Sequence, residues 1–243
     1  MTLERLDVNR CTDRFAAALH RNIYDFVLAR LAPGQCVLEV GTGLGAFTEE
    51  LFPKCGSYIG VEFDHDACVE ARRKTEGKVE IIQADARNLP FNNDQFSFIV
   101  CLEVLEHLGD WRAGVKHIHR CLQQEGIVII SVPYRRIGGR SKTNEYHINE
   151  PGEGELVSLF KKLFTKVEVH YQFFEETWGM TLSRKLHLRR FFGLDRIYSD
   201  LSAGLPDAIS RLHIRQQSKG LKLGVILMAS GCKQSADKQN NDT

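Results

Sequence analysis

Three carboxylates stand at comparable places in this chain. Glu39 lies near the end of the apolar run Cys36 to Val40, Glu62 closes the run Ser57 to Glu62, and Asp85 follows the run Val79 to Gln83. If each run is a strand, the three acids face one crevice at the strand ends, where open α/β sheets bind ligands. Between the first two acids lies Gly41-Thr42-Gly43-Leu44-Gly45. Glycines at a strand-to-helix turn let the backbone bend sharply and approach a ligand closely. Gly41-x-Gly43-x-x-Ala46 also fits a relaxed dinucleotide pattern. Glu39 would repel a pyrophosphate there, but it suits a ligand with an ammonium group and a positive sulfur. Glu62 can accept hydrogen bonds from both hydroxyls of a ribose, and Asp85 can reach the exocyclic amine of an adenine. The plain alternative is a tight turn that binds nothing.

A second constellation is Glu103-Val104-Leu105-Glu106-His107. On a helix, residues 103, 106 and 107 share one face. Two carboxylates and an imidazole so placed could bind Mg²⁺, Mn²⁺ or Zn²⁺, or they could simply order a loop. His147, in Asn144-Glu145-Tyr146-His147-Ile148-Asn149, follows the fifth apolar run. It could act as a general base, complete a metal site with Glu103, Glu106 and His107, or anchor its loop. His117 and His119 fall in a helical pattern away from the strand ends and read as surface or core residues.

The elements that must position these groups alternate along the chain. Phe15, Leu19, Ile23, Phe26, Val27 and Leu31 have helical spacing, ended by Pro33-Gly34. Strands are expected at 36–40, 57–62, 79–83, 96–101, 127–132, 166–173 and 221–230. A helix should follow the glycines through Leu51, Asp64 can cap the next one, and Trp111 to Leu122 is a further helix. Leu156, Leu159, Phe160 and Leu163 mark one more. Five apolar strands separated by helices imply a parallel sheet covered on both faces. Residues 174–220 interrupt the last two strands and read as an insertion, within a single domain spanning 1–232. Residues 233–243, KQSADKQNNDT, read as a disordered polar tail.

Composition narrows the classes. The chain has 243 residues, 43% hydrophobic and 26% charged, which suits a soluble globular domain. Lys and Arg number 32 against 31 Asp and Glu, so a protein that coats nucleic acid through overall charge is disfavoured. No run approaches the ~18 apolar residues of a spanning helix, and the first fifteen residues contain no apolar signal core. The 7 cysteines are scattered, with no C-x-x-C pair. They read as reduced, in a cytoplasmic type of compartment, with no zinc site.

In order, VLEVGTGLG, YIGVEFD, IIQADARNLPF, DQFSFIVCLEVLEHL and LQQEGIVIISVPY resemble the motifs of the class I S-adenosylmethionine-dependent methyltransferases. The likeness covers roughly Ala32 to Tyr134, with a weaker continuation through the last strand. It implies a Rossmann-like α/β fold, a seven-stranded mostly parallel sheet with helices on both faces and the last strand antiparallel. It implies S-adenosyl-L-methionine as cofactor, with Gly41 and Gly43 at the methionine part and Thr42 in the same turn. Glu39 would act through the amino group, Glu62 with Phe63 beside the ribose, Asp85 and Ala86 at the adenine, and Leu102 along the cofactor. Glu stands at 39 and 62 where the family more often has Asp, and Gln123-Gln124-Glu125-Gly126 replaces a turn often built from proline and paired glycines. A dehydrogenase is the natural competitor, but no tyrosine is followed four residues later by lysine.

Methyl transfer from a sulfonium needs alignment, exclusion of water and sometimes removal of a proton, so no obligatory dyad is expected. His147 and His107 are the candidate catalytic groups. Subfamilies with a similar E-x-x-E-H methylate ubiquinone precursors or the 2′-hydroxyl at small-RNA 3′ ends, and both imply a metal. Arg135, Arg136, Arg140 and Lys142 form one acid-free basic group, and Arg184, Lys185, Arg189 and Arg190 another. They point to an anionic acceptor or surface, such as RNA, a phospholipid headgroup or a nucleotide-linked sugar, or they only solvate a lid. Three functions stay open: a methyltransferase for a hydroxyl or amine of a small or lipid-linked acceptor, a metal-assisted RNA 2′-O-methyltransferase, and a non-catalytic cofactor- or partner-binding protein.

Overall fold

The computed structural model describes residues 14–141, 144–174, 212–216 and 221–232. In chain order the strands are β1 (Cys36–Val40), β2 (Ser57–Glu62), β3 (Glu80–Gln83), β4 (Phe96–Leu102), β5 (Leu122–Pro133), β6 (Phe164–Phe174), β7 (Leu212–Arg215) and β8 (Leu221–Cys232). The helices are α1 (Arg14–Leu28), α2 (Thr48–Leu51), α3 (His65–Lys74), α4 (Trp111–Cys121) and α5 (Glu153–Leu163).

All eight strands form one sheet, in the order β3-β2-β1-β4-β5-β8-β6-β7. β1 pairs in parallel with β2 and β4, and β4 with β5. β8 inserts antiparallel between β5 and β6. The expected parallel core and antiparallel last strand are therefore present, with one strand more than the seven expected. The extra strand, β7, pairs antiparallel with β6 at the sheet edge. It lies inside the stretch read as an insertion, and its four residues are too short to stand out as an apolar run. Residues 175–211 and 217–220 of that stretch, the tail at 233–243 and Lys142 lie outside the described residues.

Side-chain alternation distributes the core to both faces of the sheet. Leu38 and Val40 of β1 and Ile99 and Cys101 of β4 join Trp111, Val115, Ile118 and Cys121, the apolar stripe of α4. Phe160 of α5 packs in the same cluster. Val37, Phe98 and Val100 point the other way, onto Ile23, Phe26 and Val27 of α1 and Cys68 and Ala71 of α3. Helix starts follow the expected chemistry: Asp64 accepts the Ala67 N–H at 3.0 Å at the head of α3. Asp110 accepts the Ala113 N–H at 3.2 Å at the head of α4. Such caps contribute about 1 kcal/mol each.

One local expectation fails. Residues 103–107 are not a regular helix. Glu103 has φ 54°, in the left-handed region, and only Leu105–His107 make a single 3₁₀ turn. The left-handed backbone at Glu103 turns the chain after β4, and Val104 lies against Gly41.

Candidate functional site

The carboxyl ends of β1, β2 and β4 open onto a cleft of about 760 Å³. Every residue singled out for cofactor binding lines it: Glu39, Gly41, Thr42, Gly43, Glu62, Phe63, Asp85, Ala86 and Leu102. So do Glu103, Glu106, His107 and His147.

The glycine turn is tied to β2. Gly41 and Thr42 both donate their N–H to the Val61 carbonyl, at 2.7 and 3.0 Å. Gly43 donates to Glu62 Oε2 at 2.9 Å, and Asp64 to Glu62 Oε1 at 3.0 Å. Each oxygen of Glu62 thus accepts one backbone N–H. Gly41 has φ 82°, and a Cβ there would lie 2.2 Å from Val104 Cγ2. Only glycine permits both the left-handed turn and the close approach of the loop after β4. Thr42 Oγ1 is buried without a hydrogen-bond partner among the described residues.

Glu39 is deeply placed, 5% exposed. Its Oε2 accepts from Thr48 Oγ1 at 2.8 Å and from the Tyr58 hydroxyl. Burial pushes its carboxyl up to about 7, against the pull of those two hydroxyls. Neither Tyr58 nor Thr48 stood out in the sequence. Their only signal was position: Tyr58 is the second residue of β2, and Thr48 opens α2. Asp85 is more committed than expected. It caps the 3₁₀ turn Ala86–Asn88 through the Arg87 N–H at 2.8 Å. It also takes Arg87 Nη2 at 2.6 Å, and this pairing holds its carboxyl below the usual range. α1 adds a wall that the sequence did not announce, His20 and Tyr24, with Tyr24 stacked on Phe47 at 4.2 Å.

At the other end of the cleft the expected four-residue cluster divides. Glu103 turns to β5, where its Oε1 accepts from Ser131 Oγ at 2.6 Å. Burial raises its carboxyl, while Ser131 and nearby His147 oppose the rise. Glu106, His107 and His147 stay together, with ligand-type atoms within 4.8 Å of one another. The two imidazoles meet edge to face at 5.0 Å. His107 Nδ1 bonds the Tyr146 carbonyl at 3.1 Å, and a carbonyl only accepts, so that nitrogen carries the proton. His147 Nδ1 lies 2.7 Å from Glu150 Oε1. Glu150, 3% exposed, takes Arg135 Nε on its other oxygen. Sequence reasoning missed Glu150, although it stands three residues after His147.

The expected basic group after β5 is smaller than its sequence suggests. Arg135 is consumed by Glu150, whereas Arg136 and Arg140 are exposed beside Ile137, itself 80% exposed. Lys142 and the group at 184–190 lie outside the described residues. His117 bonds Arg120 at 3.5 Å and His119 packs on Phe164, so both are structural. Among the described residues no helix is long and apolar enough to cross a membrane, and five cysteines are free thiols.

Residues 38–130 match a family of methyltransferase domains. A probable S-adenosylmethionine-dependent methyltransferase of Mycobacterium tuberculosis is 30% identical over 142 residues, covering 56% of this chain and 52% of that protein. The chain thus spans about half the length of that relative. A ubiquinone/menaquinone biosynthesis C-methyltransferase of Coxiella burnetii is 27% identical over 208 residues, covering 79% of this chain and 81% of that one. The crystal structure of a SAM-dependent methyltransferase from Thermotoga maritima, described as a possible histamine N-methyltransferase, superposes with a TM-score of 0.60 at 19% identity. It covers 88% of this chain and 91% of that one, and at this identity the likeness concerns the fold. The matched segment runs from β1 into β5 and so contains the glycine turn and all three strand-end acids. Topology, turn and matched segment coincide, and the matched segment, residues 38–130, is a methyltransferase domain of the class I S-adenosylmethionine-dependent type.

Proposed function

We propose that this protein transfers the methyl group of S-adenosylmethionine to a hydroxyl or amine of a small or lipid-linked acceptor. The observation that carries the reading is Glu62, fixed by the N–H groups of Gly43 and Asp64 and lining the cleft beside the glycine turn. In this reading Glu62 takes the ribose hydroxyls, with Phe63 beside it. Gly41, Thr42 and Gly43 follow the methionine part, and the orphaned Thr42 hydroxyl gains a partner there. Glu39 faces the ammonium group, Asp85 and Ala86 the adenine, and Leu102 the cofactor's length. The carbon–sulfur bond breaks with its electron pair going to sulfur while the acceptor's oxygen or nitrogen bonds the methyl carbon. The acceptor's proton passes to His147, which lines the cleft beside His107. Alignment and exclusion of water supply most of the rate.

The quinone-pathway relative supports testing lipid-linked acceptors, and exposed Arg136 and Arg140 support testing anionic ones, including phospholipid, nucleotide-linked sugar and RNA. The experiment is transfer of a radiolabelled methyl group from the cofactor to fractionated cell extract, divided into small-molecule, lipid, RNA and protein pools. Label in the small-molecule or lipid pool is the expected result, and label in none opposes the reading.

A second reading is favoured by one observation, the grouping of Glu106, His107 and His147. Two imidazoles with Nδ1 already engaged and a buried carboxylate are a donor set for a divalent metal. Those three residues would hold it, without Glu103, and a bound ion would lower the pKa of an acceptor hydroxyl. This reading leads to metal-assisted methylation, with an RNA 2′-hydroxyl as the acceptor to test.

A further inference from the structure

We propose that Glu150 is a positioning residue, which fixes His147 in the tautomer carrying its proton on Nδ1 and so presents the Nε2 lone pair beside Glu106 and His107. The inference rests on the methyltransferase reading for its functional meaning, but its geometry stands by itself.

His147 Nδ1 is 2.7 Å from Glu150 Oε1. A carboxylate only accepts hydrogen bonds, so the nitrogen facing it must donate. Arg135 pairs with the other oxygen of Glu150. The backbone of Glu150 is held as well: its N–H donates to the Gly139 carbonyl at 2.8 Å and its carbonyl accepts from Gly139 at 2.9 Å. Both ends of this residue are therefore anchored before any ligand arrives. The loop it belongs to is tied to the cleft on the far side too, through the Asn149 N–H to the Glu106 carbonyl at 3.2 Å and Asn149 Nδ2 to the Gly109 carbonyl at 2.9 Å.

The consequence is chemical. A neutral imidazole has one donor and one acceptor nitrogen, and the partner on one side decides the role of the other. With Nδ1–H directed at Glu150, Nε2 can take a proton from an acceptor or bind a metal. With the opposite tautomer it can do neither. His107 is set the same way by the Tyr146 carbonyl, so Nε2 is the acceptor nitrogen of both neutral rings. The charged and titratable groups around His147 are Glu103 at the end of β4, Glu106 and His107 in the 3₁₀ turn, and Glu150 with Arg135.

The test uses the full chain and the near-isosteric variant Glu150→Gln. Arg135 only donates, so the amide oxygen of the variant must face Arg135, which leaves its NH₂ toward His147 Nδ1. That nitrogen must then accept, and the proton moves to Nε2. Long-range ¹H–¹⁵N correlation spectra, with the His147 signals assigned from a His147→Gln sample, should show the Nδ1–H form in the wild type and the Nε2–H form in the variant. Radiolabelled methyl transfer to extract by the variant should fall about a hundredfold, the scale of a lost proton acceptor. A wild type in the Nε2–H form overturns the proposal. An unchanged tautomer in the variant overturns it too, as does an inverted tautomer with undiminished transfer. If Glu150→Gln does not fold, Arg135→Met is measured instead: the carboxylate remains, the Nδ1–H form is expected, and its loss is contrary. Absence of any transfer by the wild type would count against the methyltransferase reading instead, and the spectra would still decide the role of Glu150.

Discussion

Ser131 donates to Glu103 at 2.6 Å and so joins the end of β5 to the end of β4 on the side of the cleft lined by His107 and His147. The same serine accepts the Glu103 N–H on its hydroxyl at 3.2 Å and on its carbonyl at 3.1 Å, which supports a backbone at φ 54°. Left-handed geometry at a non-glycine residue costs roughly 1–2 kcal/mol and persists where neighbours enforce it. Ser131→Ala leaves the buried carboxyl without its donor. We expect a loss of about 1–3 kcal/mol in urea unfolding at neutral pH. Glu103 should also titrate higher, since Ser131 is the first of the two influences opposing its rise. Unchanged stability would contradict this account of the turn.

Glu39 gives the protein a pH dependence of definite sign. Its folded-state pKa is raised to about 7 from an ordinary 4.5. Between those values the folded chain holds a proton that the unfolded chain has lost. Stability from this group is therefore full below about pH 4.5, declines as pH rises, and levels off above about 7, a change of roughly 3 kcal/mol. Glu39→Gln keeps an oxygen for Tyr58 and Thr48 and should flatten that part of the profile. A cation bound beside Glu39 favours the carboxylate, so S-adenosylmethionine affinity in the wild type should climb from about pH 5 to about pH 7. Calorimetry in buffers of different ionisation enthalpy reads the released proton.

The two glycines of the turn should differ. At Gly41 an added Cβ meets Val104 at 2.2 Å, whereas at Gly43, φ 53°, nothing lies within 4 Å. Gly43→Ala should cost about 1 kcal/mol from its backbone alone. Gly41→Ala should cost at least about 2 kcal/mol and displace the loop carrying Glu103 to His107. Equal melting temperatures for the two variants would show that the Val104 contact is not formed.

The metal-assisted reading predicts that EDTA abolishes transfer and that Mn²⁺ or Mg²⁺ restores it. It also predicts that Mn²⁺ binds the purified chain and that His147→Ala removes that binding. Transfer that survives exhaustive chelation would leave His147 as a proton acceptor.

Much of this site was readable because it depends on local order. β1, β2, β4 and β5 are buried on both faces, so each is an apolar run, and an acid at the end of such a run is conspicuous. Glu39, Glu62 and the glycines follow from that pattern. What was hidden arises from contacts distant in sequence. His107 meets His147 forty residues later, and Arg135 meets Glu150 across a loop that carries no periodicity. The helix expected at 103–107 ignored the space needed above Gly41. β7 escaped because a four-residue edge strand needs only the partner beside it, β6.

The most direct measurement is isothermal titration of S-adenosylmethionine and its demethylated product into the wild type and Glu62→Ala. The wild type should bind both at one site, and the variant should lose at least tenfold, about 1.4 kcal/mol, while its fold remains intact by circular dichroism. A folded wild type that binds neither, or a Glu62→Ala variant that binds as tightly as the wild type, would contradict the account.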